Sequence, residues 1–282
     1  MAPLSRPMQH IDRKELYTNL ETRIAYLHSF LDFGSHDIEA LTTGAKYIRA
    51  LIPAIVNIVY KKLLQYDITA RAFETRSTSY SGPVDPRLSE SSPQILHRKT
   101  FLRGYLTRLC SDPTQLEFWE YLDKVGMMHV GQGRTNALHV EYVHIGATLS
   151  FIQDVVTEAI LSHPRMKMER KIALVKALSK VIWIQNDLFA KWYVRDGEEF
   201  EDEVLVPEVE AEGWLHGKRV LGEWDGEIEE SAMKAGTCPF KNLAETTSRE
   251  GFEYGVESDG DGGAKLPSVA RSAMSRPLSG EV

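Results

Sequence analysis

Apolar positions recur every three or four residues over long stretches of the chain, and strand-like alternation is scarce, so the pattern predicts helices. Ile24, Leu27 and Leu31 share one stripe in a segment over residues 20–33. Ser35 offers an N-cap to a second helix, with Asp37 and Glu39 near its start. That helix reaches about residue 65. Ile48, Ile52, Ile55, Val59 and Leu63 line one face, and Pro53 is an expected kink. A Ser-, Pro- and Gly-rich loop follows over 76–93. Further helices are expected over 93–110, where proline suits the first turn, and over 113–130, which Gly131 and Gly133 close. Two long ones, over 140–162 and 166–194, flank Pro164. The reading is an all-α domain.

Composition then divides the chain. Residues 201–282 carry 8 Lys+Arg against 18 Asp+Glu and hold 11 of the 20 glycines, whereas the first 200 residues have a net charge of +3. Stretches such as 255–263 (GVESDGDGG) bury too little apolar surface to offset their ordering entropy. The expected organisation is a loose arm over 1–20, a folded domain over 21–198 and a mostly disordered acidic, glycine-rich tail over 199–282. Trp214, Leu215, Val220, Leu221 and Trp224 are the exception. They are expected to dock as a short amphipathic helix, weakened by Gly213, Gly217 and Gly222.

Charge and cysteine content narrow the function classes. The net charge is −7 and no Lys/Arg run offers a phosphate-neutralising stripe, which argues against nucleic acid. Cys110 and Cys238 cannot build a disulfide framework, and there is no C-x-x-C pair for zinc. No apolar run approaches the ~20 residues that span a bilayer. Residues 1–13 have no apolar signal core, so the expectation is a cytoplasmic, reducing location without membrane contact.

No G-x-S-x-G, Walker A or H-E-x-x-H pattern is present, so any chemistry falls to a histidine or a bound cofactor. His10, His28, His36, His163 and His216 read as ordinary surface or helix-end residues, and His97, beside Arg98 and Lys99, reads as solvated. His139 and His144 flank a helix start, where they cap it or face a groove. His129 differs, because Phe118, Leu122, Val125 and His129 fall on one helical stripe. It is either a satisfied core histidine, a positive charge at a helix C-terminus, or a metal ligand. Tyr60 ends the apolar run 55–60. It is either a core tyrosine capped by a backbone carbonyl or a donor facing a cleft.

Four blocks resemble the protoglobin, or globin-sensor, family: 23–37 (RIAYLHSFLDFGSHD), 52–67 with Val59-Tyr60, 121–130 (YLDKVGMMHV) with its Val-Gly-x-x-His, and 182–193 (IWIQNDLFAKWY). The resemblance implies a globin-like helical sandwich with an extra N-terminal helix, and haem b as cofactor. It maps the proximal iron ligand onto His129 and the distal hydrogen-bond donor onto Tyr60. It sets Phe101, Leu102, Tyr105, Val125, Met128, Ile152 and Val156 along the haem pocket. Two departures stand out: Val59 replaces the aromatic that often precedes the distal tyrosine, and the segment after the globin region is expected to be a disordered acidic tail where full-length sensors carry an output domain. Cys238-Pro239 matches the two-residue core of haem-regulatory motifs, a very weak signal.

The function implied is reversible binding of dioxygen, CO or NO at an open iron position, as a gas sensor or gas binder. The alternatives are a haem enzyme, such as a nitric oxide dioxygenase or a peroxidase-like catalyst, and a helical interaction module without haem. A homodimer through the last two long helices is also expected.

Overall fold

The computed structural model describes residues 8–136, 138–204 and 208–221. Eight α-helices follow in order among them: α1 (Arg13–Thr18), α2 (Leu20–Phe30), α3 (Ser35–Leu63), α4 (Asp67–Ala70), α5 (Pro93–Arg108), α6 (Leu116–His129), α7 (Tyr142–Leu161) and α8 (Met168–Ala190). Short 3₁₀ turns cover Arg71–Phe73 and Glu198–Glu203. The long helices pack on one another as a globin-like all-α sandwich, with α8 at the centre against α3, α6 and α7. The apolar face predicted for α3 is buried there: Ile48, Leu51, Ile52, Ile55, Val56 and Val59 meet Phe118 and Leu122 of α6 and Leu174, Ile184 and Leu188 of α8 in one core.

Polar side chains set the register between helices. Arg23 of α2 forks onto Asp187 of α8 with two hydrogen bonds of 2.6 and 2.9 Å. Gln185 of α8 is 1% exposed, donates to the Leu122 carbonyl at 3.2 Å and accepts from the Tyr105 hydroxyl at 3.1 Å, which links α8, α6 and α5. Gly126 lets α6 and α8 touch: a Cβ there would lie 2.5 Å from the Leu188 carbonyl oxygen. The predicted Val-Gly-x-x-His helix therefore leans directly on α8, and that contact aims its last turn.

Several boundaries differ from expectation. The N-cap of α3 is Gly34, whose N–H donates to Asp37 Oδ2 at 3.0 Å, so Ser35 is the first helical residue. α3 continues through Pro53. α6 begins at Leu116, since Asp112 closes a turn by accepting from Thr114. Gly131 and Gly133 take left-handed φ values of 86° and 64° just past α6, as a glycine stop requires. Part of the arm expected to be loose forms α1, capped by Asp12.

The larger correction concerns the start of the tail. Residues 208–221 dock on the domain, with Leu215 and Leu221 in the main core. They form a hairpin, not a helix: β1 (Trp214–Leu215) pairs antiparallel with β2 (Lys218–Arg219). The two turn residues, His216 and Gly217, have φ of 50° and 72°, the left-handed pair that a tight hairpin turn needs and a helix cannot hold. Trp224, Cys238-Pro239 and the acidic stretch 255–263 lie outside the described residues. Among the described residues, no helix is long and apolar enough to cross a membrane.

Candidate functional site

A cavity of about 760 Å³ opens between α3, α5, α6, α7 and the hairpin segment. Its size falls within the usual range for small-molecule and cofactor pockets. Val59, Tyr60, Leu63, Phe73, Phe101 and Leu102 line one side. Val125, Met128, His129, Leu138, Ile145, Ile152 and Phe189 line the other, with Tyr105 also in the wall. Of the residues that the sequence puts along a pocket, only Val156 is elsewhere. It sits about one turn beyond Ile152 on α7 and is buried in the main core, 7% exposed.

His129 ends α6 with its ring against the cavity. Its Nδ1 lies 2.7 Å from the Val125 carbonyl, one turn back in the same helix. A carbonyl can only accept, so Nδ1 carries the proton and Nε2 keeps its lone pair. Nε2 has no hydrogen-bond partner among the described residues. The Phe189 ring meets the imidazole edge-on at 5.1 Å and helps fix its plane. Burial pulls the imidazole pKa down to about 4, partly offset by the bond to Val125. The ring is neutral at pH 7, which removes the reading of His129 as a positive charge at a helix end. A neutral imidazole with a free Nε2 and an oriented Nδ1–H is the form that ligates a metal.

Tyr60 stacks at 5.5 Å on Phe73. Its hydroxyl has no hydrogen-bond partner among the described residues, so no backbone carbonyl caps it. Burial raises its pKa far above the ordinary phenol value, slightly countered by Arg98. The phenol stays protonated and is an unspent donor in a largely apolar space.

Other histidines take different places. His139 and His144 also line the cavity, on the side where α7 begins, and His144 Nε2 is 3.4 Å from Glu141. The 97–99 cluster is not solvated. His97 packs between Tyr80 and Phe101 at 4.8 and 4.9 Å, and burial lowers its pKa. Lys99 is 8% exposed and reaches Asn57 Oδ1 at 3.2 Å. Arg98 lies 5.6 Å over the Phe73 ring. These stems cover apolar surface while their heads find polar partners. His28 is likewise packed, against Phe33 and Trp119.

Sequence reasoning missed Phe73, Arg98, Arg134, Leu138, Phe189 and Glu212 as cavity residues. Phe73 sits in an isolated turn and Arg134 in a loop, where no period could flag them. Glu212 was assigned to the tail. Among the described residues, no cluster of three or more His, Cys, Asp or Glu could hold a metal ion unaided. An oriented imidazole facing a broad, largely apolar cavity instead suits a metal that arrives inside an organic macrocycle.

The family model described as Protoglobin matches residues 20–199. The chain belongs to the protoglobin family. Membership carries a globin-type, haem-binding and gas-binding role, and implies a haem cofactor. The cavity fits that group through its volume, its apolar stretches of wall and the free, oriented Nε2 of His129. The protoglobin region ends at residue 199, so the docked hairpin that contributes Glu212 and Gly213 to the cavity wall lies beyond it. No curated protein matches the chain closely enough to add a named relative.

Proposed function

We propose that the chain binds haem b with His129 as its only protein ligand to the iron, and that it reversibly binds dioxygen, with CO and NO as alternative ligands. When bound, haem b supplies an iron with one open coordination position for a diatomic gas. His129 Nε2 holds the metal, while the bond from Nδ1–H to the Val125 carbonyl fixes the ring's tautomer and direction. The observation that carries the reading is this oriented, neutral imidazole set among the apolar side chains Val125, Met128, Ile152 and Phe189 of the cavity wall.

The rest of the pocket sets how a gas is held. The Tyr60 hydroxyl, free of protein partners among the described residues, donates a hydrogen bond to dioxygen. Dioxygen gains partial negative charge in such a site and rewards a donor; CO gains less. Phe73, Phe101 and Leu102 exclude water around it, which strengthens that bond.

A gas-sensing or gas-binding role is favoured over catalysis, because the Tyr60 hydroxyl has no hydrogen-bonded acid or base partner among the described residues. Nitric oxide dioxygenation or peroxidase-like turnover would draw on an external electron donor or on His139 and His144, which also line the cavity. The last two long helices leave Val143, Ile172 and Trp183 exposed, a surface suited to a homodimer. We place the protein in the cytoplasm. Haem titration followed by absorption spectroscopy in the ferrous and CO-treated states tests the reading. A chain that binds no haem would leave the helical interaction module as its function.

A further inference from the structure

His129, Tyr60 and the apolar walls account for the middle of the cavity and leave its polar end unexplained. Two buried guanidiniums stand there. Arg98, on α5, donates from one terminal nitrogen to the Thr75 carbonyl at 2.6 Å, but its Nε is buried with no partner. Arg134, in the loop after α6, has both Nε and Nη1 buried without a hydrogen bond. Its one counter-charge is Glu212, with Nη1 3.6 Å from Oε1, beyond hydrogen-bond range, and the two side chains are each 9% exposed.

Glu212 makes no hydrogen bond to these donors, and most of its acceptor sites are engaged elsewhere. Its oxygens accept from Ser77 Oγ at 2.8 Å, from the Thr78 N–H at 3.2 Å and from Ser79 Oγ. The carboxylate therefore anchors the hairpin segment to loop 77–79 and leaves the guanidiniums with unspent N–H groups. Burial pulls both guanidiniums below their ordinary range against the attraction of Glu212, and the charge of Arg98 lowers Arg134 further. Two cations facing one carboxylate make an excess of positive charge where water is scarce. Buried donors and charges left in that state are costly unless something supplies an acceptor. The forked N–H geometry of arginine matches the paired oxygens of a carboxylate or a phosphate, and the acid groups that the haem reading supplies are carboxylates.

We propose that Arg98 and Arg134 form a carboxylate subsite, walled by the Glu212 segment from beyond the protoglobin match, that takes an acid group of the molecule filling the cavity. The inference rests on the haem reading above, under which that group is a propionate. Neither His129 nor Tyr60 hydrogen-bonds to either arginine, though both feel the arginine charge.

The test uses the full chain without cofactor, titrated with haem and with haem dimethyl ester, whose two propionates are masked. The wild type is expected to bind the free acid at least about tenfold more tightly, the scale of one charge-assisted bond. Arg134→Gln and Arg98→Gln should each lose most of that preference while binding the ester as the wild type does. A second readout needs no ligand: the cofactor-free Arg134→Gln chain should unfold thermally at or above the wild-type temperature, because a buried cation with two unbonded N–H groups, held only by a long ion pair to Glu212, has gone. Equal wild-type affinity for acid and ester would overturn the subsite. So would variants that weaken both ligands alike, since that marks a structural role. A wild type that binds neither porphyrin would overturn the haem reading itself, a distinct result from either.

Discussion

His129 donates its Nδ1–H to the carbonyl oxygen of Val125, 2.7 Å away and one turn earlier in α6. That bond lies inside the helix, so the ligand's orientation is set by the same residues that make the helix. Replacing His129 with Ala should abolish stoichiometric haem binding and leave a cavity that added imidazole can fill, restoring the haem spectrum. An unchanged spectrum in His129→Ala, with loss in His139→Ala or His144→Ala, would move the ligand to the start of α7.

Tyr60→Phe removes one hydroxyl and keeps the ring on Phe73, so packing should change little. Dioxygen should then dissociate about tenfold faster, the worth of one ordinary hydrogen bond. CO dissociation should move much less. Stopped-flow measurements on both gases separate the two ideas, because a steric gate would alter both rates together.

Gly126 is where α6 meets α8 most closely. Ala at this position would bring a Cβ to 2.5 Å from the Leu188 carbonyl oxygen, a backbone atom that cannot step aside. Forcing the helices apart should cost about 1–3 kcal/mol. Urea unfolding of the cofactor-free chain reads that loss directly, and the shifted helix should also weaken haem binding through His129.

The docked segment should respond to acid. Burial alone would raise the Glu212 carboxyl, but the hydroxyls of Ser79 and Ser77, with Arg134, hold it net below the usual carboxylate range. The folded value is thus lower than the unfolded one, about 4.3 for a free Glu. Ionised Glu212 therefore stabilises docking above that pH, and the stabilisation is lost as pH falls through the folded value. Amide exchange over 208–221 should stay protected from neutral pH down to about 5, and loosen below about 4. Glu212→Gln should already be loose at pH 7.

Much of the fold was legible because helical burial writes a period into the sequence. Ile48, Ile52, Ile55 and Val59 fall on one side of α3 for the same reason that they are buried. The stripe that ends at His129 was visible in the same way, and its final neighbour Gly126 is the residue that lets α8 close on it. The polar end of the cavity was not legible. Arg98 and Arg134 belong to a residue type that is usually solvated, and only tertiary packing buries their guanidinium nitrogens. The hairpin was misread because Trp214, Leu215, Val220 and Leu221 are compatible with a short helix; the decisive signal was the His216-Gly217 turn.

The most direct measurement is the absorption spectrum of the purified full-length protein titrated with haem, then reduced, then exposed to CO. The account predicts a saturable one-to-one Soret band, a reduced spectrum typical of one axial imidazole, and a clear shift when CO is added. A titration without saturation, or a reduced spectrum already carrying two axial histidines and unmoved by CO, would contradict it.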